Sequence, residues 1–76
     1  MASGPAELIS FLVKGIVENP DAVRVNETDG GRLLELETDD SDRGRVIGRQ
    51  GRVAKAMRAV LGVSRHGADV RLDIVD

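Results

Sequence analysis

Seventy-six residues, 41% hydrophobic and 32% charged, suit one small folded domain and leave no room for a catalytic cleft between domains. The lack of cysteine excludes disulfides and thiolate zinc sites, and a single aromatic residue, Phe11, excludes a platform of stacked rings. The net charge of −2 hides a segregation: Arg43 to Arg58 holds six basic residues and no acidic one, while the other sixty residues hold five basic and thirteen acidic.

Met1–Gly4 reads as a disordered lead-in, and Pro5 suits the first turn of a helix, where its missing N–H costs nothing. Leu8, Ile9, Leu12, Val13, Ile16 and Val17 recur at spacings of three and four, which predicts an amphipathic helix ended by Asn19-Pro20. Phe11 falls beside that stripe and is expected to pack partly into the core, the alternative being an exposed contact with a partner chain. Val23 and Val25 alternate with polar neighbours, Asp29-Gly30-Gly31 signals a turn, and Leu34 and Leu36 alternate with Glu35 and Glu37. Together they predict a hairpin with one wet face. Asp39, Asp40, Ser41 and Asp42 offer caps for the next helix; their spacing lacks the fixed pattern of a calcium loop, so no metal is expected.

A short helix is predicted from about Asp42 to Ile47 and a second from about Arg52 to Leu61, with Gly62 as its stop. Between them stands Gly48-Arg49-Gln50-Gly51. Two residues without a Cβ allow a sharp turn and a close ligand approach, and a helix that starts next directs unpaired N–H groups and its positive dipole end into that turn. Such a site suits an anion, phosphate above all. The six cations agree, and a polyanion is the expected partner. Val63–Gly67 reads as a loop with the only histidine, His66, as a solvated residue. Val70, Leu72 and Ile74 form a third strand. With about thirty residues and two helices separating strands two and three, parallel pairing through a right-handed crossover is expected.

The order is α-β-β-α-α-β, an α+β domain over residues 1–76 with a three-stranded mixed sheet and its helices on one face. Val46-Ile47-Gly48-Arg49-Gln50-Gly51, set between a short and a longer helix, resembles the GxxG motif of a KH domain, and the element order resembles the type II, bacterial arrangement. The size, the Asn19-Pro20 break, the Gly48–Arg52 turn and the tail Val70-Arg71-Leu72-Asp73-Ile74-Val75 resemble the small stand-alone KhpA family. One departure is Ala54, where many KH domains place a larger aliphatic residue. P-loop and dinucleotide fingerprints fail on glycine spacing.

The resemblance implies a single-stranded RNA segment of about four nucleotides, held by its backbone at the GxxG loop. Gly48 and Gly51 would lie against phosphates, and Arg49 and Gln50 would contact phosphate or sugar. Arg45, Arg52 and Lys55 would add attraction, with Val46, Ile47 and Ala54 as an apolar floor for bases. Arg43 and Arg58 are expected to be solvated. The resemblance further implies a post-transcriptional regulator or RNA chaperone. It also implies a homodimer, or pairing with a larger KH-containing RNA-binding protein; the cytoplasm is the default compartment for a chain without cysteine or the flanks of a signal peptide. The alternative is a dimeric protein–protein adaptor with little RNA binding of its own. No convergent nucleophile, His and carboxylate set stands in the sequence, so no enzyme, cofactor or small-molecule substrate is expected. The apolar run Leu8–Val17 is too short for a membrane span and lacks the flanks of a signal peptide.

Overall fold

The computed structural model describes residues 4–63 and 69–75, so the expectations for Met1–Ser3 and for the His66 loop lie outside the described residues. The order is α1 (Gly4–Lys14), β1 (Arg24–Thr28), β2 (Leu33–Glu37), α2 (Arg43–Ile47), α3 (Arg52–Val63) and β3 (Arg71–Ile74), with a 3₁₀ turn in each connection from α1 to α3. Gly4, expected in the lead-in, opens α1, with Pro5 behind it and Glu7 and Lys14 complementing the dipole at the two ends.

Two helix ends differ from expectation. α1 stops at Lys14 instead of running to Val17. Gly15 weakens the helix there, and the Ile16 N–H turns to the Val13 carbonyl (2.9 Å) to close the last turn tightly. The segment beyond is drawn off by the start of α2, as described below. At the other end of the chain, Gly62 does not stop α3, which continues to Val63. Gly62 keeps a negative φ, so it costs the helix about 1 kcal/mol of propensity without breaking it. Phe11, two residues from both Ile9 and Val13 and hence on the far side of α1, is 76% exposed instead of packed.

β1 and β2 form an antiparallel hairpin in the register Val25↔Leu36 and Thr28↔Leu33, closed by a turn in which Asp29, Gly30 and Gly31 all have positive φ. β3 joins β2 in parallel, pairing Leu34 with Leu72 and Leu36 with Ile74, to give the strand order β1-β2-β3. The crossover from β2 to β3 carries α2 and α3, which is what allows the parallel pairing. One sheet face buries Leu34, Leu36 and Leu72 against Ile9 and Val13 of α1, Val46 of α2, and Met57 and Leu61 of α3. The other face presents Arg24, Asn26, Glu35, Glu37, Arg71 and Asp73, as the period-two pattern requires. The expected α+β architecture, a three-stranded mixed sheet with its helices on one face, is therefore the observed one.

Candidate nucleic-acid interface

The three clustered aspartates separate into distinct roles at the start of α2. Asp39 accepts from the Ser41 N–H (2.9 Å) and hydroxyl (2.7 Å), and these bonds hold its carboxyl below the usual value. Asp40 pairs with Arg43 at 2.6 Å. Asp42 is 1% exposed and reaches back across the chain. It accepts from the Glu18 N–H (3.1 Å), the Asn19 N–H (3.0 Å) and Asn19 Nδ2 (3.1 Å). Burial pushes the Asp42 carboxyl up, but these hydrogen bonds and the Arg45 charge outweigh it and leave the group below its ordinary value. The segment after α1 thus satisfies a buried carboxylate instead of continuing as helix. Arg43, expected to be solvated, is held against Asp40 with 28% of its side chain exposed.

The glycine turn follows α2 directly. The Gly48 N–H donates to the Gly44 carbonyl (2.8 Å), the Gly51 N–H to the Gly48 carbonyl (3.1 Å) and the Arg52 N–H to the Arg49 carbonyl. Gly48 has φ +80° and lies so close to α3 that a Cβ would sit 2.5 Å from Val53 Cγ2 and 2.8 Å from Val53 N. Gly51 has φ +73°, yet a Cβ there would meet nothing within 4 Å. Gln50, at the tip, holds φ 58° and ψ 25° without being glycine. That left-handed conformation costs an ordinary residue about 1 kcal/mol, and the turn hydrogen bonds from Gly51 to Gly48 and from Arg52 to Arg49 span it.

The residues predicted for the site divide by accessibility. Arg49, Gln50, Arg52 and Lys55 are exposed along the turn and the first turn of α3, and Gly48 and Gly51 are half-buried beneath them. Arg45 is exposed on α2 and forms a 3.0 Å ion pair with Glu18. Ile47 is 37% exposed. Val46 does not belong with them: it is completely buried and packs in the core, so its side chain supports the turn from beneath and offers no floor for a base. Ala54 is buried as well, which removes it from the expected floor. In a five-residue helix the core takes one position in three or four, and Val46 is the one α2 supplies. Arg58, expected to be solvated, donates from Nε (3.3 Å) and Nη2 (3.2 Å) to the Leu72 carbonyl. The Arg71 amide donates to the Arg32 carbonyl just before β2 and the Val75 amide to the Leu36 carbonyl. The N–H and carbonyl of Leu72 between them therefore point off the free edge of the sheet, and Arg58 covers the carbonyl.

Concave surfaces lie next to this region and away from it. An apolar groove of about 310 Å³ runs between α1 and α3, lined by Leu12, Ile16, Val53, Ala56, Met57 and Val60, with Arg52 at its loop end. A larger cleft of about 540 Å³ lies at the start of β3, where Arg32, Arg58 and Arg71 face Asp29, Asp69 and Asp73. Neither was foreseen from the sequence, because each joins segments roughly forty residues apart. The same holds for Glu18 and Asp42, which no local pattern connects.

A family model described as the KhpA/KhpB KH domain matches residues 6–74. Among curated proteins, the chain is similar to RNA-binding protein KhpA of Streptomyces coelicolor, 49% identical over 72 residues that cover 92% of this chain and 90% of the relative. It is similar to RNA-binding protein KhpA of Leifsonia xyli subsp. xyli, 45% identical over 73 residues (93% and 96%), and to that of Mycobacterium tuberculosis, 42% identical over 79 residues (100% and 96%). No solved structure matches at the stringency these relatives meet. The element order, the exposed turn between paired glycines and near-full-length similarity converge: the chain belongs to the KhpA/KhpB family of KH domains.

Proposed function

We propose that this protein binds single-stranded RNA, gripping the sugar-phosphate backbone at the Gly48–Gly51 turn. The observation that carries this reading is the tip itself. Arg49 and Gln50 project into solvent from a backbone held in a costly conformation, over a Gly51 with open space where a Cβ would be. A cationic tip with room for close approach suits a phosphate, and the positive end of the α3 dipole adds to the attraction. The amides of Gly48, Gly51 and Arg52 are engaged within the turn, so the phosphate contacts fall to the Arg49 and Gln50 side chains, with Arg52 and Lys55 beside them. Ile47 supplies the exposed apolar contact for a base. The names of the relatives, each an RNA-binding protein, support the same reading. Replacing both Arg49 and Gln50 with Asp, leaving the glycines, abolishes RNA binding in a low-salt gel shift without unfolding the domain. Unchanged affinity removes the loop from the assignment.

A single module with one half-exposed aliphatic contact and no aromatic platform binds weakly, and linking two modules raises the effective concentration. The groove between α1 and α3, together with exposed Phe11, Val60 and Val63, supports association with a second copy or with a larger KH-containing chain. Such an assembly serves as a permissive RNA chaperone or post-transcriptional regulator. The same apolar surface favours the second reading, an adaptor with little RNA binding of its own. An amide NMR titration with short RNA separates the two: shifts concentrated at residues 45–55 support RNA binding, and their absence supports the adaptor. Sedimentation that finds only monomer at high micromolar concentration removes the self-association.

A further inference from the structure

Two cations of the basic segment are held by carboxylates. Arg43 meets Asp40 three residues away on its own turn, whereas Arg45 reaches Glu18, twenty-seven positions distant, with Nη2 at 3.0 Å from Oε1. An exposed Arg–Glu pair is ordinarily worth little, because two long side chains must be fixed to form it. Here the two backbones are fixed beforehand. The Glu18 N–H donates to Asp42 Oδ1 at 3.1 Å, and Asn19 makes two more bonds to the same buried carboxylate. Asp42 lies three residues before Arg45 and immediately before α2, so it sets Glu18 beside Arg45 whatever rotamers the two adopt. The pair nevertheless stays open to solvent, with 50% of the Arg45 side chain and 71% of the Glu18 side chain exposed. Carboxylate and phosphate oxygens compete for the same guanidinium donors.

We propose that Glu18 is an intramolecular competitor for a phosphate position at Arg45, three residues ahead of the glycine turn. This rests on the RNA binding proposed above and adds a control to it. A strand that touches only the tip leaves the ion pair intact. A strand seated along both the turn and α2 displaces Glu18 and gains the Arg45 contact. Glu18 thereby holds down loose association with any polyanion and favours strands in the full register.

The test is a double-mutant cycle on the whole chain, with Glu18→Gln, Arg45→Gln and the two combined, read by fluorescence anisotropy on a short single-stranded RNA of mixed sequence. Glutamine keeps the backbone N–H that Asp42 binds, and urea midpoints check that each variant is folded. Glu18→Gln is expected to tighten binding about threefold, the scale of an exposed ion pair, and to steepen the log–log salt slope by about 0.7, one further phosphate. In the Arg45→Gln background both effects vanish. Weaker binding by Glu18→Gln overturns the proposal, since Glu18 then positions Arg45 for RNA. An equal gain in both backgrounds overturns it too, since the effect is then only a lost negative charge. Wild-type binding with no response to Glu18→Gln defeats this inference alone, whereas absence of wild-type binding defeats the RNA-binding proposal and this one with it.

Discussion

Gly48 and Gly51 are the same residue type in one motif, but their surroundings give them different roles. Gly48 is required by packing, because its Cα lies where any side chain would strike Val53 and its φ is positive. Gly51 has the positive φ but empty space around it. Gly48→Ala is therefore expected to cost about 2–4 kcal/mol, from overpacking added to backbone strain, and to displace the turn. Gly51→Ala is expected to cost only about 1 kcal/mol while weakening RNA binding, because the added methyl occupies the space a phosphate would approach. Urea denaturation and RNA titration of both variants check the contrast, and equal stability losses would contradict it. The glycine spacing is visible in the sequence. Which glycine is crowded is not, because that depends on how closely α3 returns over the turn.

α2 has only five residues, too few to be stable alone, so tertiary bonds must hold it. Asp42 provides them by tying the N-terminal end of α2 to Glu18 and Asn19. Its lowered pKa makes this tie sensitive to acid. A carboxyl whose folded-state pKa lies below its unfolded value, about 3.9, contributes stability that is fully present above that pH and is lost as pH falls through the folded-state value. Asp39, lowered by its Ser41 bonds, acts in the same direction. The urea midpoint is expected to stay level from neutral pH down to about pH 4 and to fall below it. Asp42→Asn removes much of that acid dependence and lowers the melting temperature at pH 7 by several degrees, because an amide NH₂ cannot accept from three donors as the carboxylate does. A pH profile unchanged by Asp42→Asn would show that the tie does not matter for stability. The aspartates read as helix caps from sequence, and Asp39 is one. The long-range role of Asp42 was not legible, because a capping residue and a buried hub look alike until the segment that meets it is placed.

Over the whole molecule, charge is segregated more sharply than the net −2 suggests. The open sheet face mixes Glu35, Glu37 and Asp73 with Arg24 and Arg71, while the turn and the start of α3 carry Arg49, Arg52 and Lys55 with no acid among them, so a strand is drawn more strongly to the turn. If about three phosphates are neutralised there, affinity is expected to fall with salt at a log–log slope near −2, measured by anisotropy over a range of salt concentrations. A flat dependence would place the contact away from the basic segment. Among the described residues no helix is long and apolar enough to cross a membrane.

The sequence by itself determined the element order, the parallel closure of the sheet, the glycine turn and its ring of cations. Each of these follows from local periodicity, turn chemistry or the length of a crossover, and such signals lie within a few residues of one another. Only the tertiary structure decided that Val46 and Ala54 belong to the core and not to a base-contacting floor, since α2 and α3 must each bury one side and nothing local says which apolar residue stays outside. It also decided that Arg58 covers the edge of β3 and that Glu18 stands beside Arg45. The reason is physical: a side chain's pattern tells which face it occupies, but its partner is chosen by whatever distant segment folding brings against that face.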